Sequence, residues 1–83
     1  MKAIIVGLNL SKSRAVAETT DGEYVLIELF TDEPDLHDEI SGNFDEHPLG
    51  GEIIRNITSG TNMDVYIQDY CSKSVAEKYL KGV

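Results

Sequence analysis

The scarcities of this 83-residue chain are a single cysteine, no tryptophan, two prolines, and only seven lysines and arginines against fifteen aspartates and glutamates. With one cysteine, Cys71, an internal disulfide and a two-cysteine zinc knuckle are both excluded. The formal net charge of −8 sets up a field that repels phosphate backbones and attracts basic partners. No stretch reaches the roughly 20 apolar residues of a membrane-spanning helix. The N-terminal MKAIIVGLNLSKSR lacks the small-residue cleavage site of a signal peptide. A chain without membrane contact and located in the cytoplasm is therefore expected. Its length suits one domain over residues 1–83, burying about 60–65% of its unfolded surface.

What is present is strand-like. KAIIVGL is a continuous β-branched run, and SKS after it reads as a turn. RAVAETT leads through Asp21-Gly22 into EYVLIELF, and an Asp-Gly pair between two such runs signals a hairpin because glycine accepts positive φ. Val25, Ile27 and Leu29 then share one face, and Tyr24, Leu26 and Phe30 the other, so both faces need cover. Residues 31–51 hold both prolines, the Gly50-Gly51 pair and no helical periodicity, which makes them a long connector in which ISGNF can form a short strand. EIIRNIT, a Ser-Gly-Thr-Asn turn and the alternating MDVYIQDY form a second hairpin. SVAEKYLKG ends the chain as a short helix, with Ser74 and Glu77 at capping-box spacing and Gly82 as its stop.

A three-stranded meander, a long connector and a hairpin make a mainly β domain, a small five-stranded OB-like or SH3-like barrel with a short C-terminal helix. Over residues 2–70 this order resembles the OB-fold. The stretch ISGNFDEHPLGGEIIRNITSGTNMDVYIQDY is similar to those of small uncharacterised bacterial single-domain β-barrel proteins, a resemblance that implies the fold and no activity.

No pattern for chemistry stands out. His37, Asp38, Glu39, Asp45, Glu46 and His47 offer metal-ligand types, but their spacing matches neither an EF-hand loop nor a His-Glu-x-x-His helix. Gly50-Gly51 is followed by Glu52 rather than by the Lys-Ser/Thr ending of a phosphate loop. Nothing places a histidine beside Cys71 as a base, and no Gly-x-Ser-x-Gly elbow occurs. The expectation is a non-enzyme with no cofactor.

The charge pattern carries the functional reading. Residues 31–51 contain seven acidic side chains, Asp32, Glu33, Asp35, Asp38, Glu39, Asp45 and Glu46, and no lysine or arginine. Projecting from one connector, they would present an acidic surface to a basic protein partner. Tyr66 and Tyr70, beside a leftover strand edge, are candidates for pairing two copies as a homodimer. The alternative is an OB-type binder of single-stranded nucleic acid or a small ligand, using Lys12 and Arg14 with stacked aromatics. The scarcity of clustered basic groups weighs against nucleic acid.

Overall fold

A computed structural model describes residues 1–82. Six strands, β1 (Lys2–Asn9), β2 (Arg14–Thr19), β3 (Tyr24–Leu29), β4 (Glu39–Ser41), β5 (Gly50–Asn56) and β6 (Thr61–Cys71), precede one helix, α1 (Lys73–Lys81). Single 3-10 turns at Leu10–Lys12 and Phe44–Glu46 follow β1 and β4. The strands close into an antiparallel barrel in the order β1-β2-β3-β6-β5-β4. After the meander, the chain crosses over to lay β4 on the free side of β1, the return that defines a Greek key. Closure leaves no complete strand edge at either side of the sheet.

The expected barrel is present with six strands rather than five. The additional strand is the short one within the connector, at Glu39–Ser41 rather than across ISGNF, because Phe44 leaves the sheet in its 3-10 turn and sinks into the core. The Asp21-Gly22 turn sits between β2 and β3 as the sequence requires, with Gly22 at φ 83°. It is wider than a two-residue turn, since the closing contact is Thr19 N–H to the Glu23 carbonyl at 2.8 Å.

Inward-facing Ala3, Ile5, Ala15, Ala17, Val25, Ile27, Leu29, Ile54, Met63, Val65 and Ile67 fill the barrel with Ile40 and Phe44. On the outside, Val16 and Leu26 meet Ala76, with Tyr24, Cys71, Tyr79 and Leu80 around them. Both faces of β2 and β3 are thereby covered, one by the core and one by α1. The N-cap is Ser72, two residues before the Ser74 of the capping-box reading, and it makes no side-chain cap bond. The hold on α1 comes from tertiary contacts, as expected for about two turns of helix. Arg14 Nη1 donates to the Tyr79 carbonyl at 2.7 Å and its guanidinium lies 4.6 Å from the Tyr79 ring. Asn9 Nδ2 donates to the Leu80 carbonyl. The Tyr79 hydroxyl donates to the Ile27 carbonyl at 3.0 Å, where the β3–β6 register shifts.

That shift changes the face of every later β6 side chain. Leu26 pairs with Asp69 and Ile27 with Ile67, so Gln68 is an extra residue on β6. Before it Tyr66 points outward between inward Val65 and Ile67; after it Tyr70 packs against the core.

Candidate functional site

The antiparallel strand directions give the barrel two distinct ends. One carries residues 30–38, the turn after β1 and the 57–60 turn; the other carries the 20–23 hairpin, residues 42–49 and the end of β6. The acidic connector contributes to both. Asp32, Glu33 and Asp35 are exposed at the first end, and Asp45 and Glu46 are exposed at the second. The seven carboxylates do not gather on one patch.

Two of them belong to the scaffold. Asp38 is only 7% exposed. One of its oxygens, Oδ2, accepts from the Asp35 N–H at 2.9 Å and from Asn56 Nδ2 at 2.8 Å. Asn56, 1% exposed, accepts in turn from the Ser59 N–H at 3.1 Å. This buried chain of bonds joins the connector to the β5–β6 turn, and a buried polar group is tolerated only when bonded in this way. Main-chain bonds from Ile5 N–H to the Asp38 carbonyl and from His37 N–H to the Ile5 carbonyl add to the anchoring. Glu39 is half-buried in β4, with Oε1 3.8 Å from Lys2 Nζ.

At the second end, His47 is 2.7 Å from Glu23 Oε1 through Nε2, and its ring meets Tyr70 edge-on with centroids 4.6 Å apart. The Tyr70 hydroxyl donates to the Pro48 carbonyl at 3.0 Å. Burial, then the Glu52 and Glu23 carboxylates, push the Tyr70 hydroxyl up to about 12. Tyr70 is thus a packing residue that closes the barrel end, and it does not share a face with Tyr66. The pairing surface expected from Tyr66 and Tyr70 together assumed unbroken alternation, which the extra Gln68 interrupts.

The helix packs on β1, β2 and β3, so the outer face of β5 and β6 lies bare. There Gly51 pairs with Tyr66 and Ile53 with Asp64. Phe30, Gly51, Glu52, Ile53, Asp64 and Val65 line a shallow depression. Phe30 is 57%, Ile53 69% and Tyr66 41% exposed, which puts three large side chains in water on β5, on β6 and just past the end of β3. Asp64 stands among them, Glu28 lies across from Tyr66, and Asp32 and Glu33 follow Phe30 by two and three residues.

Charge is unevenly divided along the chain. Residues 30–71 hold ten of the fifteen acidic side chains, the seven of the connector plus Glu52, Asp64 and Asp69, and a single basic one, Arg55. Five of the seven basic residues, Lys12, Arg14, Lys73, Lys78 and Lys81, are on the α1 side. The sequence signal for the bare face was the Ile53-Ile54 pair: adjacent strand residues point oppositely, so one isoleucine had to face out.

Chemistry elsewhere is sparse. Burial, then Asp69, raises the Cys71 thiol, the reverse of what an activated nucleophile needs. Among the described residues, no three His, Cys, Asp or Glu side chains converge as a metal cage. No helix among them is long and apolar enough to cross a membrane. Comparison with protein-family models, with curated proteins and with solved structures gives no match.

Proposed function

We propose that the domain is a non-catalytic protein-interaction module that docks a basic partner, in a cytoplasmic setting, on the outer face of β5 and β6. The observation that carries this reading is the exposure of Phe30, Ile53 and Tyr66 inside an acidic surround. Apolar anchors supply most of the affinity in such interfaces, and rim charges select and steer the partner. Of the acidic connector, Asp32 and Glu33 serve this face directly. Asp35, Asp45 and Glu46 extend the field that attracts the partner, while Asp38 and Glu39 support the fold.

The test is affinity capture from a cell extract with elution by a salt ramp. Ile53→Asp removes the apolar centre and D32N/E33Q/D64N removes the rim charge. Both variants should release at lower salt, or fail to retain, basic proteins that the native chain holds. Identical retention by all three chains contradicts the reading.

The second reading, an OB-type binder of single-stranded nucleic acid, draws on Lys12, Arg14, Lys78 and Lys81, which cluster near the last turn of α1. A helix C-terminus presents carbonyls and favours lysines for its own sake, so the cluster has a sufficient structural cause. A gel shift whose affinity falls steeply with salt would favour it over protein docking.

A further inference from the structure

The barrel closes through its shortest strand, and the closure is partial. β4 pairs with β5 only at Ile40–Asn56 and Ser41–Arg55, whereas β5 begins five residues before Arg55, at Gly50. The Ile57 N–H donates to the Glu39 carbonyl at 2.8 Å on the β4 side. Backbone direction alternates along a strand, so Arg55, Ile53 and Gly51 turn their N–H and C=O groups to that same side. Gly50, Glu52, Ile54 and Asn56 turn theirs to β6. β4 stops at Ser41, Gly42 turns to Met1, and residues 43–49 pass under the barrel to Glu23 and Tyr70. Gly51 and Ile53 pair with β6 in register, but on the β4 side no strand among the described residues pairs with them. Both are exposed, and a Cβ added to Gly51 would meet nothing within 4 Å.

We infer that this free segment of β5 takes up an extended basic segment of the partner as an added strand, an inference that rests on the docking face proposed above. Strand addition draws affinity from main-chain hydrogen bonds and specificity from alternate side chains. Side chains opposite Gly51 and Ile53 lie on the outer face, where Ile53 and the unfilled space at Gly51 favour apolar ones. The residue opposite Glu52 lies on the other face, where a lysine or arginine complements the carboxylate. The occupant is therefore a strand that alternates apolar and basic residues. A second copy is the wrong occupant: antiparallel pairing of two β5 segments through Gly51 and Ile53 sets Glu52 against Glu52, between chains of net charge −8 each.

The probe is a synthetic heptapeptide alternating valine with lysine, added to the isotope-labelled full chain and followed by amide hydrogen exchange. The Gly51 and Ile53 amides should gain at least ten-fold protection. N-methylation of the valines, whose N–H groups face β5, should abolish binding, and N-methylation of the lysines, whose N–H groups face away, should leave it. Glu52→Gln should weaken binding about three-fold. Binding without protection at Gly51 and Ile53, or binding indifferent to valine N-methylation, overturns strand addition and leaves the face proposal standing. No binding of the peptide, while Ile53→Asp still loses the captured partner, does the same. If the capture experiment also shows no difference, both readings fall together. A rise in dimer population in place of peptide binding overturns the choice of occupant.

Discussion

Asp38 illustrates how an acidic residue that looks like part of a docking surface can be a structural pin. Its largely buried carboxylate holds the Asp35 amide and the buried Asn56 side chain. Asp38→Ala should cost about 1–3 kcal/mol, the penalty for leaving a buried donor unsatisfied. Urea unfolding should report this as a lower midpoint with an unchanged slope, whereas Asp45→Asn, at an exposed site, should stay within about 0.5 kcal/mol of the native chain. Tyr70 offers a second check. Burial and nearby carboxylates push its hydroxyl up to about 12 in the folded chain, against 10 for an ordinary tyrosine. The unfolded chain gives up that proton first, so the folded state loses stability as the pH climbs from 10 towards 12 and is unaffected by this group below 10. A spectrophotometric titration should show a late-ionising tyrosine that Tyr70→Phe removes. Neither role could be read from the sequence, because both depend on partners about 20 residues away: Asn56 for Asp38 and Pro48 for Tyr70.

At the scale of elements, α1 is held by a small residue opposite a large one. A Cβ on Gly7 would overlap the Leu80 side chain. Gly7→Ala should therefore push the Leu80 side-chain tip into another rotamer at a cost of about 0.5–1.5 kcal/mol, measurable as faster amide exchange over Ala76–Leu80 with the barrel's exchange retained. The meander, the second hairpin, the helix and its Gly82 stop were all legible, since each is specified by local periodicity and by turn residues. The short strand β4 was legible only in part: a strand was expected within ISGNF, but three residues are too few to fix its place at Glu39–Ser41. The extra Gln68 on β6 was not legible, because a bulge leaves no periodic trace until the residues beyond it are seen on the wrong face. This single insertion turns Tyr70 towards the core and off the outer face on which Tyr66 lies. The acidic surround was legible as composition, but its division between the two barrel ends follows from the crossover of residues 30–38 and the return of residues 42–49.

Over the whole molecule, charge and cover are arranged together. The helix covers part of the outside of β1–β3 and brings most of the lysines to that side, and the outer face of β5 and β6, left bare, carries Ile53 and Tyr66 beside Phe30 and Asp64. Association with a basic partner should accordingly be fast at low ionic strength and slow by an order of magnitude or more as salt approaches physiological levels and above. Mixing kinetics across a salt series would check this, with D32N/E33Q/D64N flattening the dependence. Docking on the outer face of β5 and β6 is tested most sharply by the footprint that a retained basic protein leaves on the isotope-labelled domain. Amide shifts should centre on Phe30, Gly51, Ile53, Asp64 and Tyr66, with the 3-10 turn at Phe44–Glu46 and helix α1 unmoved. A footprint centred on α1 and Lys12, or on Asp45 and Glu46, would contradict such docking.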